Sequence, residues 1–270
     1  MNELNILLPE ASWALRAWQN ECEGWYALGQ TAGTGGIFHV ERRGALVCAW
    51  WQGPGALESY LLVDPCYAGA PDDLLALIAG TLARHAGPIV LRLVGDEDRL
   101  AAWRAAAAPY GFVFAGADLL MVCPLESRRT LRPRPGEISV LAVAGEEAHR
   151  TALQIVREVY GDPPGLTEFF NPLGTVRMYL GYWAGAPAAS ATLWPFAGVA
   201  GVYSVATRPW FRRRGLATAV VDVLLHDAAH AGFDLASLRT EEHLIPLYEP
   251  LGFHVAGRVY RFRRIRQPVA

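Results

Sequence analysis

Residues 203–218 read Tyr203-Ser204-Val205-Ala206-Thr207-Arg208-Pro209-Trp210-Phe211-Arg212-Arg213-Arg214-Gly215-Leu216-Ala217-Thr218, and the fold turns on them. An uncharged β-prone run gives way to an Arg-rich turn. Ala217, Val220, Val221, Leu224, Leu225 and Ala228 then fall on one stripe, with Asp222, His226 and His230 off it and Gly232 as the stop. That is a strand, a loop and an amphipathic helix. The first turn of a helix has unpaired N–H groups and a partial positive charge, so a phosphate placed there meets backbone donors. Gly215 lets the backbone approach an anion, Ala217 leaves it room, and Arg212, Arg213 and Arg214 add charge.

Outward from this turn the pattern stays α/β. Met178 to Thr207 is an uncharged run of 30 residues, long enough for a membrane span, but Gly181, Gly185, Pro187, Pro195, Gly198 and Gly201 punctuate it. Strands near 176–183, 188–194 and 199–206 fit better, and no membrane association is expected. Before them come a strand at Ile138–Val143, a helix at Gly145–Tyr160 and a loop or short helix over 162–174. After the amphipathic helix come a strand at Leu235–Thr240, a short helix around Leu244–Glu249 and a closing hairpin from Phe253 to Arg264.

The first half repeats this order. His85-Ala86-Gly87 recurs as His230-Ala231-Gly232, and Pro109-Tyr110-Gly111-Phe112 recurs as Pro250-Leu251-Gly252-Phe253, at shifts of 145 and 141 residues. Matches in the same order at similar shifts indicate a duplicated unit. We therefore expect strands near 37–42, 45–51 and 57–63, a helix from Asp72 to His85, a strand at Ile89–Val94, a helix from Asp96 to Ala107 and strands after Gly111. The Pro- and Arg-rich residues 126–137 read as a linker between a unit at 1–125 and a unit at 138–270.

Charge separates the units. All 24 basic residues are Arg, with 7 Arg against 13 acidic residues up to position 125 and 17 against 13 beyond it. An anionic ligand should favour the second half. With an overall charge of −2 and no recognisable nucleic-acid module, nucleic acid is not an expected partner. Cys22, Cys48, Cys66 and Cys123 show no paired spacing and read as buried thiols in a reducing cytosol; the amino-terminal Met1-Asn2-Glu3-Leu4-Asn5 has no basic, apolar leader, so a cytoplasmic location is expected. His226 and His230 have helical spacing but no third ligand in sight, so no metal is expected.

At Arg212-Arg213-Arg214-Gly215-Leu216-Ala217 the sequence resembles the (Gln/Arg)-x-x-Gly-x-(Gly/Ala) loop of the GCN5-related N-acetyltransferase (GNAT) superfamily, and Tyr248-Glu249-Pro250-Leu251-Gly252-Phe253 resembles its downstream Tyr-x-x-x-Gly-Phe segment. The resemblance covers residues 138–264. It implies two GNAT-like units, each a mixed, largely antiparallel twisted sheet flanked by helices, the first degenerate and the second an acetyl-CoA-dependent N-acetyltransferase. Arg212 to Thr218 would grip the pyrophosphate, and Ser204, Val205 and Ala206 would pair with the pantetheine, an N–H near Val205 polarising the thioester carbonyl. Tyr248 would be the general acid.

The resemblance leaves the base open among Glu158, Glu168, Glu241, Glu242, His243 and a water relay, with Glu241 standing where the family often has Asn. The expected acceptor is the primary amine of a small molecule, held between the halves and drawn by the acidic first half. A non-catalytic acyl-CoA sensor, or transfer to a protein or aminoacyl-tRNA, are the alternatives. In the first half Asp72 and Asp73 replace the phosphate loop and would repel pyrophosphate, which leaves that half to pack, to dimerise or to shape the cleft.

Overall fold

A computed structural model describes residues 9–31, 38–51, 58–85, 87–126, 130–161 and 174–264. In chain order the elements are α1 (Pro9–Thr31), β1 (Phe38–Arg43), β2 (Leu46–Trp51), β3 (Ser59–Val63), α2 (Pro71–Arg84), β4 (Ile89–Val94), α3 (Glu97–Ala107) and β5 (Phe112–Pro124). The second half supplies β6 (Ile138–Ala142), α4 (Gly145–Tyr160), β7 (Arg177–Trp183), β8 (Ala186–Phe196), β9 (Val199–Thr207), α5 (Leu216–His230), β10 (Leu235–Thr240), α6 (Ile245–Tyr248) and β11 (His254–Arg264). The loop expected over 162–174 and residues 127–129 of the expected linker lie outside the described residues, except for Gly174.

The repeat is visible in the pairing, but the two halves do not close separate sheets. All strands form one mixed, mostly antiparallel sheet in the order β1-β2-β3-β4-β11-β5-β10-β9-β8-β7-β6. The last strand of each half crosses into the other: β11 lies between β4 and β5, and β5 lies between β11 and β10. The corresponding pairs match in sense as well, since β3–β4 and β9–β10 are parallel while β4–β11 and β10–β5 are antiparallel. Gly111 and Gly252, at positive φ of 81° and 89°, deliver the chain into the exchanged strands.

The closing hairpin expected from Phe253 to Arg264 is therefore one strand. Its Gly257 marks a register irregularity against β5 between Val255 and Gly257, where a local reading sees a turn. Helix α1 was not expected at all. It packs Ala14, Ala17, Trp18, Cys22 and Leu28 on one face of the sheet, where α4 also lies, while α2, α3 and α5 cover the other. Burying a side chain such as Trp18, fully enclosed with its Nε1 donating to Val63 O at 2.7 Å, stabilises by about 3 kcal/mol. Two further expectations fail locally. Cys66 is exposed, and Asp222 is buried, accepting from the Arg132 N–H at 3.0 Å.

Close approach to the sheet explains a glycine in α1. A Cβ on Gly29 would fall inside the Val40 side chain, next to a branched carbon that cannot swing away. Gly29→Ala should lower stability by about 1–3 kcal/mol despite its better helix propensity, read as a lower urea midpoint.

Candidate active site

Strand β9 bends because it carries one residue too many. Ser190 faces Ala206 and Thr192 faces Tyr203, so Ser204 and Val205 together oppose Ala191 of β8. Ser204 takes up the bulge at φ 51°, a left-handed conformation that a non-glycine residue adopts only when its surroundings hold it there. Registered pairing between β9 and β10 stops at Gly201↔Ser237, and the strands part beyond it. The opening is a cleft of about 260 Å³ bounded by Tyr203, Ser204 and Val205 of β9, Arg239 and Thr240 of β10, Asp118 of β5, and Glu241, Tyr160 and Tyr248.

The Arg-rich turn meets α5 at the end of β9. Gly215 is the N-cap at φ 79°, and the first helical bond runs from Ala219 N to Gly215 O at 2.9 Å. That leaves the amides of Leu216, Ala217 and Thr218 at the helix start, with no acidic side chain in the first turn. The three arginines divide their work. Arg214 stacks on the Trp183 ring at 4.8 Å, Arg212 Nε donates to Thr207 O at 3.1 Å, and Arg213 projects into solvent at φ 62°. Only Arg212 and Arg213 are therefore placed to meet an anion without first leaving an aromatic partner.

Tyr248 ends the short α6 and is buried against Phe253, ring centroids 5.9 Å apart. Burial, with the nearby Tyr160 adding to it, pushes its hydroxyl pKa well above the ordinary tyrosine value. The phenol therefore keeps its proton across the physiological range. Thr240 Oγ1, lining the same cleft, is buried without a partner among the described residues.

Of the candidate bases, Glu241 lines the cleft. Glu158 is held by Arg208 at 2.7 and 3.0 Å, Glu242 and His243 are exposed outside it, and Glu168 lies outside the described residues. His226 and His230 stack at 4.1 Å, and the described residues contain no group of three or more His, Cys, Asp or Glu suited to a metal. No helix among them is long and apolar enough to cross a membrane.

Three cleft residues, Tyr160, Asp118 and Arg239, carried no signal in the local sequence. Tyr160 donates to Val205 O at 2.6 Å, across the opening that β9 presents. Asp118 comes from the first half and is bonded to Arg239 at 2.8 Å, while Tyr203, on the same side, has its pKa raised by burial and then by Glu21. Each becomes a cleft residue through long-range pairing, β5 with β10 above all.

The corresponding place in the first half is shut. β3 pairs with β4 at four positions from Ser59 to Leu62, with no bulge, and Val63 O is taken by Trp18. Helix α2 begins with Pro71, Asp72 and Asp73, which removes one amide and adds two negative charges.

Residues 146–253 match the family model described as Acetyltransferase (GNAT) family. Among solved structures, a GCN5-related N-acetyltransferase from Kribbella flavida superposes with a TM-score of 0.72 at 19% identity, covering 94% of this chain and 96% of that one. A tandem GNAT protein from the clavulanic acid biosynthesis pathway gives a TM-score of 0.66 at 15% identity, covering 96% and 95%. A GCN5-related N-acetyltransferase from Sphaerobacter thermophilus gives 0.61 at 18% identity, covering 83% and 78%. At these identities the likeness establishes the fold along the chain. No curated protein sequence matches. The family match makes the second half a GNAT acetyltransferase domain and the protein an N-acetyltransferase.

Proposed function

We propose that this N-acetyltransferase moves an acetyl or other short acyl group from CoA to the primary amine of a small molecule bound between the halves. The observation that carries the reading is the combination of a bulged, splayed β9 with an acid-free helix start at one end and a buried, protonated Tyr248 facing the opening.

The residues fit a CoA thioester. The amides of Leu216 to Thr218 with Arg212 and Arg213 suit a pyrophosphate, and the backbone of Ser204 to Ala206 offers a strand edge for an extended pantetheine arm. A neutral amine attacks the thioester carbonyl, the carbon–sulfur bond breaks, and the sulfur takes the Tyr248 proton. An N–H at the bulge is suited to the carbonyl oxygen as its charge grows. Tyr160 shares Val205 O with the place the pantetheine needs, so it turns aside when substrate binds. Glu241, at the mouth, is the carboxylate suited to receive the amine's proton, directly or through water. The closed counterpart in the first half supports a single acyl-CoA site.

Equilibrium binding of acetyl-CoA tests this. Gly215→Glu forces a side chain into left-handed backbone and brings a carboxylate to the phosphate seat, together about 2 kcal/mol or a thirtyfold weaker Kd. Gly215→Ala should show the backbone part alone. Affinity unchanged in Gly215→Glu removes the phosphate-loop assignment.

A further inference from the structure

Five charged side chains meet under α1, drawn from five elements and both halves. Glu21, with its side chain 2% exposed, accepts from Arg92 Nη1 at 3.2 Å and Arg239 Nε at 2.6 Å. Asp118 accepts from Arg239 Nη1 at 2.8 Å and lies 3.3 Å from Arg261 Nη2. Arg92 also stands over the Tyr60 ring at 4.2 Å. Three cations thus share two carboxylates, and Nε of both Arg92 and Arg261 has no acceptor among the described residues. Arg92 and Arg239 are largely enclosed, whereas the Arg261 side chain is 38% exposed, so water carries part of the surplus charge. Of the five, only Arg239 and Asp118 line the cleft, and Arg261 lies next to it through its contact with Asp118, so the surplus positive charge sits one side chain away from the acceptor space.

We propose that this side of the cleft is a subsite for a carboxylate carried by the amine acceptor, so that the acceptors are small amino acids or similarly anionic amines; the proposal rests on the acetyl-transfer reading above. A cationic acceptor is the obvious rival, since Asp118 lines the cleft and the first half is acidic overall. However, both Asp118 oxygens already hold guanidinium groups, Oδ2 that of Arg239 and Oδ1 that of Arg261. Glu241 offers the rival little, because its side chain is 72% exposed, beside His243 at 3.3 Å, and water screens it. The surplus is one charge and the cleft of about 260 Å³ must also hold the thioester, which suits a planar monoanion on a guanidinium fork better than a phosphate.

The test uses the full chain and matched trios: an amino acid, its primary amide and its decarboxylated amine. Thiol release from acetyl-CoA gives kcat/KM for each, and calorimetry gives acetyl-CoA affinity and the affinity of each acceptor alone. The acid should exceed its amide about tenfold in both kcat/KM and affinity, the factor set by one charge-assisted contact. The amide's amine is less basic and more nearly neutral at pH 7, which biases turnover against the proposal. Arg261→Gln should erase most of that advantage without changing acetyl-CoA affinity, and Asp118→Asn, which raises the surplus charge, should enlarge it. Amides or decarboxylated amines that bind and react as well as the acids overturn the subsite, whatever acetyl-CoA does. Acids that bind preferentially to a protein with no acetyl-CoA affinity overturn the acetyl-transfer reading and leave the subsite standing.

Discussion

Residues 138–270 expressed alone should fail to fold, although they span the whole region that matches the family. Cutting the chain at the linker removes both neighbours of β11, which are β4 and β5, and the outer neighbour of β10. Two strands would then present unpaired N–H and C=O groups beside the buried Phe253, Val259, Phe262 and Leu238. Such edges recruit other chains instead of remaining single. The expected product is aggregated protein without a cooperative unfolding transition. Coexpression with residues 1–137 should restore a soluble complex, because each half then regains the strand it lends. A monomeric second half that binds acetyl-CoA within about threefold of the full chain would show that the exchange is dispensable.

This exchange was the part of the fold least legible in the sequence. The repeat itself could be read, since Gly111 and Gly252 stand at equivalent turns and α5 announces itself by an apolar stripe behind Gly215. Local signals say which segments are strands, but a strand's partner depends on the whole sheet. Helix α1 was hidden for a different reason. Its buried face is interrupted by Asn20 and Glu21, whose partners are the carbonyls of Trp194, Phe196 and Val199 for one and two arginines for the other. Gly24 and Gly29 lower its helix propensity further, and both are required by close contacts with Trp194 and Val40. The stripe Ala14, Trp18, Cys22 was there to be found, but polar residues at buried positions break any rule that sorts by polarity.

The site divides in the same way. Ser204, Val205 and Tyr248 line one cleft, and residues 212–218 form the turn and helix start that follow β9, because a strand, a turn and a helix in succession fix that geometry locally. Asp118, Arg239 and Glu21 become neighbours only through β5 joining β10 and α1 lying across both, at separations of 121 and 218 residues. The net acidity of the first half therefore does not describe the cleft. Charge counted along the chain averages over the surface, whereas the charged groups that line the cleft are Asp118, Arg239 and Glu241, drawn from both halves.

Tyr248→Phe should reduce kcat by about 10³ while leaving acetyl-CoA affinity near that of the unaltered enzyme. The ring still packs edge-on against Phe253, so the fold loses little, and only the hydroxyl is removed. Because burial holds the hydroxyl pKa above the ordinary tyrosine value of about 10, its acid form persists to higher pH than an exposed tyrosine's. The alkaline limb of the kcat profile should accordingly stay flat to about pH 10 in the parent enzyme, with any rise at lower pH reporting deprotonation of the amine. A Tyr160→Phe variant separates the two tyrosine hydroxyls of the cleft. Tyr160 bonds to Val205 O where the pantetheine would pair, so its loss should alter acetyl-CoA affinity more than kcat. If Tyr248→Phe retains more than about a tenth of the parent kcat, Tyr248 is a packing residue and the leaving sulfur takes its proton from elsewhere.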